Sequence, residues 1–246
     1  LMRALIDDLA PGTLLLTETN VPHEENIRYF GDGDEAHAVY QFSLAPLLLD
    51  AFLSGDAGPL NRWLSSLQYP DKGMTFFNFT ASHDGIGVRP LEGLVSQAHI
   101  GALIESIRRR GGLVSMRKEP DGTNSPYELN ITYLSAIDSL EGMPPEDHAR
   151  KFLTSQGVML SLRGVPAIYF HSLVGTTNDT AGVQQTGHHR TINRRKFDSH
   201  ELRHILADSN SVQRKVFDGY RHMLAVRIAQ PAFHPDAEQR ILDTGH

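Results

Sequence analysis

Three side chains in this 246-residue sequence have the type and spacing for acid/base chemistry. Glu18 closes the run Thr13-Leu-Leu-Leu-Thr-Glu18-Thr-Asn20. His83 and Asp84 follow Met74-Thr-Phe-Phe-Asn-Phe79, within Thr80-Ala-Ser-His83-Asp84-Gly-Ile-Gly87. Both runs are short, apolar and rich in strand formers. A carboxylate at a strand end is costly to hide unless it is paired or used. In parallel α/β barrels the C-terminal strand ends carry the chemistry. Two strands that each deliver a carboxylate to the same end supply what acid/base cleavage of a glycosidic bond needs.

Taken singly, each residue also has a plain explanation. Glu18 alone fits a solvated strand end, and Asp84 before a glycine fits ordinary turn chemistry. Arg190, Arg194, Arg195 and Lys196 form a basic loop, either solvated or a site for phosphate or carboxylate. Adjacent His188 and His189 point apart and have no acidic partner at ligand spacing, so no metal is expected. Arg108, Arg109 and Arg110 suit a helix C-terminus rather than a nucleic-acid patch. Gly85-Ile-Gly87 lacks the third glycine of a dinucleotide loop.

The elements that must position these groups alternate. Leu1–Ala10 is expected as a helix ended by Pro11-Gly12, with no N-cap before it, as if a helix had been cut. Strands are predicted at Thr13–Glu18, Ala38–Phe42, Met74–Phe79 and Val165–Phe170. Between them, Ser43 is expected to cap a helix over Leu44–Phe52, and Pro59 to open one over Pro59–Leu67. Further helices are predicted at Leu91–Arg110, Glu146–Arg163, Ser199–Ala207 and Asn210–Ala229. Val21–Asp34, Gly112–Asn130, His171–Asp198 and Pro231–His246 read as loops. Strands separated by helices imply an α/β fold with a parallel sheet. A (β/α)8 barrel takes about 250 residues, but only four strands are visible, which suggests the back half of one with enlarged loops.

Composition narrows the partners. A net charge of −6 argues against nucleic acid and anionic membrane. No cysteine is present, which excludes a disulfide framework and fits a cytoplasmic location. No apolar run approaches the ~20 residues of a membrane span, and no signal peptide is visible.

Four fragments together resemble the α-amylase superfamily, glycoside hydrolase family 13, and within it the sucrose phosphorylase subfamily. They are Thr17-Glu18-Thr-Asn20, Ala81-Ser-His83-Asp84-Gly-Ile-Gly87, Gly164-Val-Pro-Ala-Ile-Tyr-Phe170 and Thr191-Ile-Asn-Arg194. The resemblance covers nearly the whole chain. It implies that the four strands are barrel strands five to eight, that residues 1–230 are a partial catalytic barrel, and that 231–246 begin a linker to a further domain. It implies that Glu18 is the general acid/base, that Asp84 stabilises an oxocarbenium-like transition state, and that His83 binds glucosyl hydroxyls. The family's nucleophile, an Asp in Arg-x-Asp on strand four, would lie upstream of Leu1, so the chain alone is expected to be inactive.

Sucrose phosphorylases carry a His where Asn20 stands and Tyr-Gln where Tyr127-Glu128 stands. Both departures fall on the acceptor side. Tyr-Glu-Leu-Asn130, with Gln185-Thr-Gly and Ile192-Asn-Arg194, is more similar to the glucosylglycerate phosphorylases of that subfamily. The implied reaction is retaining transfer of glucosyl from a glucoside to phosphate. Asn20, Tyr127, Glu128, Arg190 and Arg194 are the candidate substrate contacts, and Arg190 and Arg194 are the cations for an anionic acceptor. Inorganic phosphate is the co-substrate, with no cofactor and no metal. Partners are a small carbohydrate and phosphate, and a homodimer stays open. Sucrose and sucrose 6-phosphate as donors, plain hydrolysis, and a catalytically dead carbohydrate-binding module are the alternatives.

Overall fold

A computed structural model describes residues 2–69 and 73–242. Helix α1 (Met2–Leu9) precedes strand β1 (Leu16–Thr17). A short α2 (His23–Asn26) and a 3-10 turn at Ile27–Phe30 lead to β2 (Ala38–Tyr40). Then come α3 (Leu44–Ser54), α4 (Gly58–Ser66) and β3 (Thr75–Asn78). Strand β4 (Ile86–Gly87), α5 (Gln97–Arg109), β5 (Leu113–Lys118) and β6 (Asn124–Asn130) follow. Helices α6 (Tyr133–Ile137) and α7 (Pro145–Ser161) return the chain to β7 (Val165–Pro166). Then come α8 (Phe170–Leu173), α9 (Thr180–Thr186), a 3-10 turn at His189–Asn193, α10 (Ser199–Ala207) and α11 (Val212–Ala229), after which only a 3-10 turn at Pro231–Phe233 interrupts irregular chain up to residue 242.

The α/β class stands. β1, β2, β3 and β7 form one sheet in that order, and every pairing is parallel. The side chains of β2 and β3 alternate between faces, as the strand period requires. Val39 and Phe76 are buried with Phe30 and Ala36 on one face. Tyr40 and Phe77 belong to the other face, where their rings are 4.8 Å apart. Tyr40 also meets Phe79 at 5.2 Å. The main core lies among the helices. Leu47 of α3, Trp63 of α4, Ile107 of α5, Tyr133 of α6, Phe152 of α7 and Tyr220 of α11 are all buried there.

Several sequence expectations need correction. The expected loop 112–130 is a hairpin: β5 pairs antiparallel with β6, and β6 pairs with β4, giving a second, three-stranded sheet. The helix expected from Leu91 starts at Gln97. Its N-cap is Ser96, whose hydroxyl accepts the His99 N–H, while Arg89–Leu91 forms a 3-10 turn behind Pro90. Ser43 does not cap α3; its hydroxyl donates to the Pro90 carbonyl at 3.1 Å and ties α3 to that turn. The loops 21–34 and 171–198 both contain helical turns. The paired strands are two to four residues long, shorter than the apolar runs. Leu1, and residues 243–246 of the expected linker, lie outside the described residues. No described helix is long and apolar enough to cross a membrane.

Candidate active site

The parallel sheet sends Glu18, one residue past β1, and the loop after β3 to the same end. One ligand atom each of Glu18, His83 and Asp84 lies within 4.8 Å of the others. Residues separated by 65 positions in the chain thus meet at one point because their strands run parallel, with β2 between them. Glu18 is exposed. The His83 ring is 61% exposed and stands 3.6 Å from the Asp84 carboxylate. The spacing of the three groups would also suit a cation. However, Asp84 Oδ1 already faces two guanidinium groups, Arg190 at 2.6 Å and Arg194 at 3.2 Å, which satisfy its charge.

Beside these groups is a shallow cavity of about 190 Å³, lined by Tyr40, Phe77, Phe79, His83, Ile168 and Tyr169. Its apolar floor is the aromatic face of β2 and β3. Burial pushes the Tyr40 hydroxyl above its ordinary value, and the Glu18 charge adds to that rise. Burial also raises Tyr169, with Arg194 opposing and Asp84 reinforcing the rise. Both phenols therefore remain protonated donors at the site.

The loop that carries His83 and Asp84 is held from several sides. At its root, Thr80 donates to Gln156 Oε1 at 2.7 Å, and buried Tyr220 donates to the same oxygen at 2.6 Å. Further along, Gly85 passes so close to β6 that a Cβ there would lie 2.9 Å from Glu128 Cβ and 3.0 Å from the Leu129 carbonyl. At Gly87 a Cβ would meet Asn20 Oδ1 at 2.6 Å, so Asn20 packs on the loop's backbone. That Asn20 oxygen is buried and has no partner among the described residues.

The segment after α9 closes over the loop. Asn193 is buried, and its amide donates to the carbonyls of Ser82 and Asp84. Arg194 reaches the His83 carbonyl through Nε and the Asp84 carboxylate through Nη2. Arg190 donates to both oxygens of Glu128, at 3.0 and 2.6 Å, while its Nη1 faces Asp84. This double engagement, foremost the Glu128 hydrogen bond, holds the Arg190 guanidinium above its ordinary value. Tyr127 precedes Glu128 on β6, and its carbonyl accepts the Val88 N–H at 3.0 Å.

The structure therefore brings together Glu18, His83, Asp84, Glu128, Arg190 and Arg194, with Asn20 at the edge, while Tyr127 meets Val88 only through its backbone. Sequence reasoning missed Tyr40, Tyr169 and Asn193. Asn193 carried a signal: it sits in the Ile-Asn-Arg run next to an arginine already singled out. His189 does no more here than place Nδ1 3.4 Å from the Ser115 hydroxyl.

The chain is similar in sequence to known phosphorylases. The chain is 50% identical to the glucosylglycerate phosphorylase of Spirochaeta thermophila over 243 residues, which is 99% of this chain and 41% of that protein. It is 46% identical to the glucosylglycerate phosphorylase of Escherichia coli over 237 residues, 96% of this chain and 42% of that protein. Its homologues are glucosylglycerate phosphorylases. Sucrose phosphorylases stand further from it: that of Agrobacterium vitis is 31% identical over 218 residues, 84% of this chain and 40% of that protein. Against the glucosylglycerate phosphorylases the chain spans well under half of their length. The crystal structure of sucrose 6F-phosphate phosphorylase from Thermoanaerobacter thermosaccharolyticum superposes with a TM-score of 0.74 at 23% identity, over 91% of this chain and 42% of that one. That likeness shows the fold. No protein-family model matches the chain.

Proposed function

We propose that this chain supplies the acid/base and charge-stabilising part of a retaining α-glucosyl phosphorylase. Its reaction would convert 2-O-α-glucosylglycerate and phosphate to α-glucose 1-phosphate and glycerate. The observation that carries this is the meeting of Glu18, His83 and Asp84 within 4.8 Å at one end of a parallel sheet. Glu18 gives a proton to the glycerate oxygen as the bond to the anomeric carbon breaks. A carboxylate nucleophile, taken from a segment outside these residues, forms the glucosyl-enzyme. A phosphate oxygen then attacks the same face, its proton returns to Glu18, and the nucleophile leaves. Asp84 faces the positive charge that develops on the sugar ring, and His83 holds its hydroxyls.

Both the departing glycerate and the incoming phosphate are anions. Arg190 and Arg194 are the cations within reach, and the basic run continues through Arg195 and Lys196. Tyr127 and Asn20 are the further candidate contacts on the acceptor side. The reaction needs no cofactor beyond phosphate.

The architecture fits the C-terminal half of a (β/α)8 barrel, with residues 1–230 as its barrel strands five to eight and 231–246 leading onward. Four parallel strands in sequential order are supporting evidence. So are the two outer strands, whose Leu16 and Val165 are exposed. Edges of this kind invite further strands.

The test is phosphate-dependent release of glucose 1-phosphate by a protein carrying this chain together with the remaining length of its relatives. Glucosylglycerate, sucrose and sucrose 6-phosphate are compared as donors. The expected result is turnover with glucosylglycerate that requires phosphate. Turnover indifferent to phosphate, or a preference for sucrose, would overturn the proposal.

A further inference from the structure

We infer that Glu128 is a positioning residue: it does not touch substrate but aims Arg190 at Asp84. This deepens the proposed phosphorylase site and rests on that reading. The first ground is access. Glu128 is only 3% exposed, and Gly85 packs against its Cβ from the loop side. The second is commitment. Each Glu128 oxygen accepts one Arg190 N–H, at 3.0 and 2.6 Å, the two-pronged fit that a guanidinium and a carboxylate favour. The third is direction. With Nε and Nη2 held by Glu128, the remaining prong, Nη1, stands 2.6 Å from Asp84 Oδ1.

The chain of contacts is therefore Glu128, Arg190, Asp84, and each member orients the next. Glu128 comes from β6, in the antiparallel sheet. Its place is set by pairing with Gly87 of β4, so the sheet that fixes Arg190 also anchors the end of the Asp84 loop. A lysine in place of Arg190 offers one nitrogen on a flexible stem and loses the planar two-pronged fit to Glu128 that aims the third nitrogen at Asp84. A glutamine in place of Glu128 keeps the shape but turns an N–H toward one Arg190 nitrogen, which breaks the two-pronged grip.

The experiment compares Glu128→Gln, Arg190→Lys, Arg190→Ala and the double variant Glu128→Gln/Arg190→Ala in the long protein described above. The wild type must first show phosphate-dependent turnover of glucosylglycerate; its absence sinks the functional reading and not this one. Given turnover, kcat and KM are measured separately for glucosylglycerate and phosphate. Misplacing a catalytic group by about 1 Å costs on the order of 10²-fold. The expected result is a kcat loss of that order for Glu128→Gln and for Arg190→Lys, larger than the accompanying change in KM for either substrate. In the Arg190→Ala background, Glu128→Gln should add less than about twofold, because both changes break one chain. A raised KM at unchanged kcat in Glu128→Gln would make Glu128 a substrate contact and overturn the inference. So would wild-type kcat in Arg190→Lys, or losses that multiply in the double variant. Should Glu128→Gln fail to fold, Arg190→Lys alone still decides.

Discussion

Asn193 holds Asp84 by its backbone. Its side-chain amide donates to the Asp84 carbonyl at 2.8 Å and to the Ser82 carbonyl at 3.2 Å. Asn193 is fixed in turn, because its own carbonyl accepts the Tyr169 hydroxyl at 3.1 Å. The segment after β7 thus clamps the loop after β3 without touching the Asp84 carboxylate through Asn193 itself.

Replacing Asn193 by Ala removes one donor group and leaves two carbonyls short of a partner. Stranded buried polar groups cost about 1–3 kcal/mol. The expected outcome, in the long protein of the proposed test, is a melting midpoint below that of the wild type. Asn193→Asp should be worse than Ala, since it places a carboxylate against two carbonyl oxygens. Calorimetry of the three proteins checks the order. An Asp variant as stable as the wild type would rule out the clamp.

Much of the fold and the site was legible in the sequence because strands and strand ends are local features. The runs ending at Glu18 and Phe79 are apolar and bounded by turn residues, and the carboxyl groups follow them directly. The hairpin 113–130 was not legible as strands, because β5 and β6 are polar and half-exposed and carry Pro126. A signal was nevertheless present: Asp121-Gly122 lies between two runs of similar length, as hairpin turns do. The clamp of Asn193 and the Glu128–Arg190 pair join residues 62 to 111 positions apart. No periodicity encodes such distances; they follow only from the packing of the loop after β7 on the second sheet.

Glu18 tests the acid assignment. A general acid contributes typically 10²–10⁴-fold. In the long protein, Glu18→Gln should lose that much kcat with glucosylglycerate, whose glycerate leaves poorly without a proton. With α-glucosyl fluoride the loss of glucosyl-enzyme formation should be far smaller, because fluoride departs without protonation. Equal losses on both donors would show that Glu18 does not act as the acid.

Two buried histidines set a pH limit on stability. Burial lowers the values of His23 and His171, with Glu24 partly opposing at His23. Both stay neutral in the fold where an unfolded chain would take up a proton. The native state therefore binds fewer protons, so this stability is fully present above the unfolded value of about 6.5. It is lost as pH falls from there toward the lowered folded values. Each group adds a slope of at most about 1.4 kcal/mol per pH unit. Chemical denaturation of the long protein across this range should show a falling midpoint below about pH 6.5, and His171→Asn should flatten it. An unchanged slope in that variant would remove His171 from the account.

The last prediction concerns the chain by itself. On the side of β1 lies a cavity of about 440 Å³, bordered by Met2, Leu15, Leu16 and Tyr29. Around it, Leu14 is 72% and Leu16 42% exposed, and Met2, Leu5 and Leu9 of α1 also face water. β1 leaves one row of backbone groups unpaired among the described residues. In a closed barrel a neighbouring strand and helix would cover this surface. An exposed parallel edge with apolar residues beside it is an aggregation template. The 246-residue polypeptide, expressed alone, should therefore self-associate or melt without cooperativity. On the proposed reading, which gives Glu18 and Asp84 other roles and takes the nucleophile from another segment, it should release no glucose 1-phosphate, since losing a nucleophile costs many orders of magnitude. Co-expression with the remaining length of the relatives should restore a sharp transition and turnover together. A monodisperse, cooperatively melting chain that turns over glucosylglycerate unaided would overturn both the half-barrel and the external nucleophile.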